Sequence, residues 1–351
     1  MPRVTTFWVS NWFRGLMDRI VVKRCDHDCD RSHSLVLCTK WHGTPSTPTV
    51  QGMARLSGKS YSIVCGTALG SLCVIVFTGA LVRLTGSGLG CVDWPNCNDT
   101  QFIDVSSGHT AIEQGNRLFT GVVSFSVMAA VLLSHRRSPR RSDLVWLSWS
   151  LVLGVLAQIV IGGVVVLTGL NPYANMAHFL VSMVLIACAF MLYRRSGTSA
   201  PTSFFRSIPS RLKGLVIALS IAGVTAIVTG TVVTATGPHA GSEDAVRFGF
   251  ALPSVARIHG VTVLIFVALI VALALLDRRQ RSSSDFTEAI SALLVVAVAQ
   301  GAIGYTQYFT GVPVVLVAAH IIGAVSMFLA LCHLVVAPRD AHSIVIDGPA
   351  Y

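Results

Sequence analysis

The chain has 351 residues, of which 53% are hydrophobic and only 12% are charged. An average soluble domain is about a quarter charged, so this balance excludes an ordinary water-soluble fold and points to a membrane protein. The formal net charge of +10 is scattered over several short segments rather than gathered on one face, which argues against a nucleic-acid partner.

Residues 1–58 come first and do not share the apolar character of the rest. They are polar and basic, contain Cys25, Cys29 and Cys38, and lack the uninterrupted apolar core of a secretory signal. The stretch 25–33, CDHDCDRSH, fits no zinc spacing well, and Asp26, Asp28 and Asp30 disfavour a mitochondrial presequence. The segment reads as a disordered cytosolic extension, with Met53 as an alternative start.

Eight apolar stretches follow, near 62–82, 116–134, 144–168, 174–193, 214–236, 254–276, 287–309 and 313–336. Each approaches the roughly 20 residues needed to cross a bilayer. Basic residues then set the expected orientation. Arg136, Arg137, Arg140 and Arg141 follow the second span. Arg194, Arg195, Arg206, Arg211 and Lys213 follow the fourth, and Arg278, Arg279 and Arg281 the sixth. The positive-inside rule places these segments and both termini in the cytoplasm. A bacterial plasma membrane is the expected location, with the mitochondrial inner membrane as the alternative.

The second half of the chain echoes the first. Gln158, Gly162 and His178 recur with the same spacing as Gln300, Gly304 and His320, and upstream Thr78-Gly79 recurs seven residues on as Thr85-Gly86, as Thr229-Gly230 does as Thr236-Gly237. Repetition on this scale defines an architecture. Each copy holds an even number of spans, so both enter from the same side and should be related by a two-fold axis along the membrane normal. The expected fold is an all-α integral membrane protein, with eight transmembrane helices arranged as two parallel pseudo-symmetric four-helix bundles. The first bundle is placed at 59–195, a cytosolic linker at 196–213, the second bundle at 214–336 and a cytosolic tail at 337–351. Small residues such as Gly162, Gly163, Gly223 and Gly301 should allow close helix packing.

Histidines within apolar spans draw attention because ionisable groups are expensive at membrane depth. His178, His259 and His320 all fall in the outer halves of even-numbered spans, and Asn116 stands at the corresponding place on the second. His259 and His320 belong to one bundle at matched depth. Facing imidazoles across a bundle are a way to hold heme iron. A lone histidine would read as a hydrogen-bonded core residue, but the matched pair favours ligation. Arg83, Arg117, Arg247 and Arg257 lie on the outer face against the charge rule. They suit either heme propionates or simple snorkelling to water. Glu113, one helical turn before Asn116, is either a carboxylate favoured by the helix dipole or an acid, base or cation-stabilising group. Cys91 and Cys97 can close a small loop, either as a structural disulfide or as an exposed, reducible pair. Cys65, Cys73, Cys188 and Cys332 fall in spans and read as packing.

The stretch GALVRLTGSGLGCVDWPNC (79–97), followed by HTAIEQGNR (109–117), resembles the heme A synthase family. The resemblance extends over roughly residues 60–336 and includes the His-bearing fourth, sixth and eighth spans. It implies a membrane oxidoreductase that oxidises a ring methyl of heme O to a formyl group through a hydroxymethyl intermediate, with water as oxygen source. It further implies a resident heme b held by His259 and His320. Heme O as substrate would sit in the first bundle, with His178 on its iron and Glu113 as the catalytic carboxylate. Implied partners are a heme O synthase, terminal oxidase assembly, membrane lipid and an electron acceptor of unspecified kind. Homo-oligomerisation is left open. The chain departs from the family pattern at Asn116, where members commonly carry a histidine, and asparagine is a poor iron ligand. The main competing expectation is a bis-His cytochrome b-type electron carrier acting on quinone. It gives Glu113 and the loop cysteines no role. A parallel-repeat transporter would require broken spans and midplane charges, which the sequence lacks.

Overall fold

A computed structural model of the chain describes residues 56–197, 208–280 and 282–336. Residues 1–55 of the expected disordered extension, most of the linker and the tail lie outside the described residues, as do Cys25, Cys29, Cys38, Arg206 and Arg281, whereas Leu56 pairs with the backbone of Arg136 and Ser138 and Ser57 caps the first helix. Among the described residues the fold is all-helical. It comprises α1 (Gly58–Leu84), α2 (Gly108–Ser134), α3 (Ser142–Leu167), α4 (Pro172–Ser196), α5 (Lys213–Thr236), α6 (Leu252–Gln280), α7 (Ser284–Phe309) and α8 (Val314–Val336). All eight are long and apolar enough to cross a membrane.

These helices coincide with the eight expected spans, with one extension that matters. α2 begins at Gly108 rather than near 116, because Ser107 and Thr110 close a capping box: each side chain satisfies the other's backbone N–H. Glu113 therefore lies in the second turn of the helix, beyond the first-turn amides where the dipole acts most strongly.

Helix pairing follows the sequence repeat. α1 packs on α2 and α4, and α3 packs on α2 and α4, forming one four-helix ring. In the second ring α6 packs on α5 and α7, and α8 on α7, while α5 touches α8 only lightly. The rings meet through α4 on α8, α1 on α8 and α4 on α5. Exchanging α1–α4 with α5–α8 turns the α1/α8 contact into α5/α4 and leaves α4/α8 unchanged, as a two-fold relation requires. Even the turns repeat. Gly169 and Leu170 after α3 have φ of 63° and 62°, and Gly311 and Val312 after α7 have φ of 80° and 60°. Leu170 donates its N–H to Val165 O at 2.8 Å and Val312 to Gln307 O at 2.7 Å, which is the Schellman closure of a helix C-terminus in both copies.

Each ring has its own apolar core. Tyr61, Leu144, Leu151, Ile186 and Leu192 are fully buried in the first, and Leu219, Phe266, Ile270, Leu273 and Leu293 in the second. Tyr61 satisfies its hydroxyl on Ala130 O at 3.0 Å. At the far end of the first ring, Arg137 and Arg141 are buried and donate to Ser196 O and Arg195 O. These are last-turn carbonyls of α4, which a helix leaves unpaired. Aromatic side chains crowd the helix ends, with Trp146 and Trp149 near the start of α3 and Tyr305, Tyr308 and Phe309 at the end of α7. Such residues are enriched at membrane–water interfaces.

The four glycines expected to pack helices behave differently. A Cβ on Gly223 would meet Leu331 at 2.8 Å and Phe266 at 2.9 Å, so this one is a helix-packing position. Gly162 abuts His178 and Gly163 abuts Trp94, while Gly301 faces open space and borders a cavity. Gly301 thus serves room rather than contact. Gly223→Leu should overpack the second ring and cost about 1–3 kcal/mol, read as a lowered thermal midpoint of the detergent-solubilised protein. Gly301→Ala should leave that midpoint unchanged.

Candidate functional site

The cavity volume is about 1040 Å³, and residues from both rings line it. That is at the upper end of ligand pockets, which run to roughly 1,000 Å³. Its polar lining includes Glu113, Asn116, His178, His259 and His320. Asn116, His178, His259 and His320 lie six to eight residues past the first residues of α2, α4, α6 and α8 (Gly108, Pro172, Leu252, Val314). At 1.5 Å per residue this is about 10 Å from one end of the helices, and it is the same end for all four.

Repeated sequence becomes repeated contact here. Gln158 donates Nε2 to His178 O at 3.0 Å, and Gln300 donates Nε2 to His320 O at 2.8 Å. Gln158 also donates to Ser182 Oγ. Gly162 and Gly304 make room for the rings: a Cβ would lie 3.4 Å from His178 Cε1 and 2.9 Å from His320 Cε1. On the opposite pair, Thr78 Oγ1 donates to Asn116 Oδ1 at 2.8 Å, and Thr229 Oγ1 lies 3.1 Å from His259 Nδ1. The His259 and His320 rings face one another with centroids 6.5 Å apart and planes at 83°. The Nδ1 atoms of His178 and His320 are buried and lack a hydrogen-bond partner among the described residues. No cluster of three or more His, Cys, Asp or Glu of the kind that binds a bare metal ion occurs among the described residues.

Glu113 is 5% exposed. Its Oε2 accepts the Cys91 N–H at 2.8 Å, and its Oε1 accepts Arg117 Nε at 3.0 Å and Nη2 at 2.7 Å. Arg117 also donates to Asp93 O and Asn96 O. One ion pair thus pins the loop that runs from Cys91 to Cys97. The loop is closed by a disulfide between these two cysteines, and both are buried, at 0% and 1% exposure. Of the two readings the sequence leaves open for this pair, burial favours the structural disulfide over the exposed one: the segment lies at the surface, but its sulfurs pack inward beside Gln114. Trp94, at the tip, leans on Gly163, where a Cβ would meet the indole at 2.7 Å. Trp94 and Pro95 line the cavity, so the loop covers the first ring's side of it.

The four arginines separate by what they already hold. Arg83 donates to His239 O at 2.6 Å and Thr234 O at 2.8 Å, tying α1 to the end of α5. Arg117 is committed to Glu113 and the loop. Arg247 donates to carbonyls of its own segment, including Ala245 O and Pro238 O, and does not border the cavity. Arg257 borders the cavity and alone of the four has no acceptor among the described residues. Thr78, Thr229, Gln158 and Gln300 were visible in the sequence as echoes, but their work as anchors for the polar groups was not. The loop tip Trp94 carried no separate signal beyond the family motif.

The fold and site define a duplicated helical membrane protein built around a cavity lined by histidines. Residues 62–107 and 102–242 match the family COX15-CtaA, described as Cytochrome oxidase assembly protein. That is just over half of the chain, and the chain belongs to this family. Among similar proteins named Heme A synthase, one from Geobacillus kaustophilus is 34% identical over 139 residues, covering 39% of this chain and 43% of the relative. Another from Geobacillus thermodenitrificans is 32% identical over 148 residues, covering 40% and 46%. A third, from Listeria welshimeri, is 26% identical over 294 residues, covering 78% and 92%. The matches to the two Geobacillus proteins thus span less than half of those proteins' length.

Removing Arg117 should free the loop and leave a buried carboxylate short of a partner, which costs about 3–5 kcal/mol when such a pair is broken. Arg117→Ala is therefore expected to speed limited proteolysis within 91–107 and lower the thermal midpoint, whereas Arg247→Ala should do neither.

Proposed function

We propose that this chain is a heme A synthase, an oxidoreductase that converts the ring methyl of heme O to a formyl group for cytochrome oxidase assembly. The observation that carries this reading is the His259–His320 pair. A metal–imidazole nitrogen distance is about 2.0–2.1 Å, and with roughly 1.1 Å from that nitrogen to the ring centre, two imidazoles that approach one metal from opposite sides would stand about 6.3 Å apart. The observed 6.5 Å fits. Thr229 engages Nδ1 of His259, leaving Nε2 for iron, and the cavity gives a porphyrin space. His259 and His320 would therefore hold heme b. Bound there, heme b would supply a one-electron carrier between the substrate and an acceptor.

The first ring would take heme O, with His178 toward its iron. Here the repeat is deliberately uneven. Counting along α2 and α6 from Asn116 and His259, Glu113 corresponds to Ala256 and Arg117 to Gly260. An electron carrier needs no such difference, whereas an enzyme with one substrate site does. Each of the two oxidations removes an electron pair and releases protons, and water supplies the oxygen that replaces them. The first gives the hydroxymethyl group; the second gives the hydrated aldehyde, which loses water to the formyl group. An ionised carboxylate offers about four acceptor sites, and three on Glu113 are taken. The remaining site on Oε2 can accept a proton from attacking water, and the negative charge favours an electron-poor carbon beside it. The covering loop limits bulk water at this point.

Arg257 is the best placed of the four arginines to meet a propionate, since its guanidinium is uncommitted. Arg83 and Arg117 would act mainly by holding the protein together around the cavity. We place the enzyme in the bacterial plasma membrane with both termini cytoplasmic, so that the disulfide loop faces outward into an oxidising space. A heme O synthase would supply its substrate and oxidase assembly would receive its product.

Hemes extracted from protein co-produced with a heme O source and separated by chromatography test this reading. Wild type should yield heme A or its hydroxymethyl precursor beside heme b. Glu113→Ala should keep heme b and cut product at least ~100-fold, the scale of general acid–base catalysis. His259→Ala or His320→Ala should lose heme b. Heme b as the sole pigment of wild type, with heme O untouched, would instead identify an electron carrier.

A further inference from the structure

The two rings hold their cavity-lining polar groups by matched contacts and differ at a single ligating atom. Thr229 Oγ1 meets His259 at Nδ1, and Thr78 Oγ1 meets Asn116 at Oδ1. Both atoms stand two bonds from Cβ. Asn116 therefore reproduces the half of the imidazole that threonine holds and lacks the Nε2 half that would reach a metal. The facing residues do not differ in this way: His178 and His320 share the glutamine anchor to their carbonyls, the glycine beside the ring and an unpartnered, buried Nδ1. The Asn116 carboxamide oxygen already accepts a hydrogen bond, and a neutral carboxamide is a weak iron ligand beside imidazole.

We infer that the first ring binds its heme through His178 alone, with the coordination position on the Asn116 side open, and that this makes it the exchangeable site while the bis-His site keeps its heme. The inference rests on the proposed function and names how one chain tells cargo from cofactor. Both sites share a cavity, so size does not distinguish them. Among the residues that face the metal the difference is one iron–nitrogen bond, which must break before a heme can leave the second ring and has no counterpart on the Asn116 side of the first.

Carbon monoxide reads the open position directly, because it binds five-coordinate ferrous heme and competes poorly with two imidazoles. The full chain, purified in detergent after co-production with a heme O source, is reduced and titrated with the gas. About half of the bound heme should form the adduct. Asn116→His should abolish that fraction. Excess apomyoglobin should strip the carbon monoxide-reactive heme from wild type and do so at least ~10-fold more slowly from Asn116→His, equivalent to about 1.4 kcal/mol. Wild-type protein with two hemes, both low-spin and inert to the gas, would overturn the inference while leaving the proposed function standing. That measurement needs no variant to fold. Unchanged heme content in His178→Ala would remove the first-ring heme itself, and the inference with it.

Discussion

A polar ring at membrane depth has to be held by something, and this chain meets that constraint twice with the same parts. A glutamine on α3 or α7 donates to the carbonyl of the histidine on the next helix, and a glycine one turn further leaves room for the imidazole. A threonine on α1 or α5 takes the side chain opposite. With no water in the hydrocarbon region to satisfy stray donors and acceptors, these contacts tie down the backbone of His178 and His320 and the side chains of Asn116 and His259. All four of these polar groups border the same cavity.

Duplication supplies the frame, and the chemistry proposed above rests on departures from it. Glu113 and Arg117 have Ala256 and Gly260 as counterparts, and the disulfide loop they secure covers only the first ring's side. Arg83, the match of Thr234 in the repeat, reaches across to that residue's own carbonyl, so one half clamps the other near the two-fold relation. The light contact between α5 and α8, against the close packing of α1 on α4, is a further inequality between the rings.

Much of this was legible in the sequence. Helix number followed from apolar length, and the pairing of the rings followed from an even number of spans per copy. The histidines stood out because a charge-poor span rarely spends a residue on an imidazole without reason. The apolar stretch near 116–134 marks only the membrane-crossing part of α2; Glu113 reads as helical ahead of it, but the exact first residue, Gly108, is set by a capping box between Ser107 and Thr110 that a hydropathy window passes over. The arginines read alike in the sequence and differ in the fold, since their partners are backbone carbonyls, which no residue pattern advertises. Burial of Cys91 and Cys97 was hidden for a related reason: it comes from Arg117 drawing the loop down onto Glu113, a contact fixed by helix register. Gly301 looked like a packing residue and instead borders empty space, because a small residue signals closeness or room with the same letter.

The central claim is that His259 and His320 grip one iron between them. Electron paramagnetic resonance of the oxidised protein as purified tests it most directly, because ring planes near perpendicular, here 83°, leave a strongly anisotropic low-spin ferric signal. That signal is expected in wild type, and it should vanish when either histidine is replaced. A preparation that shows only high-spin iron, or none, would contradict it.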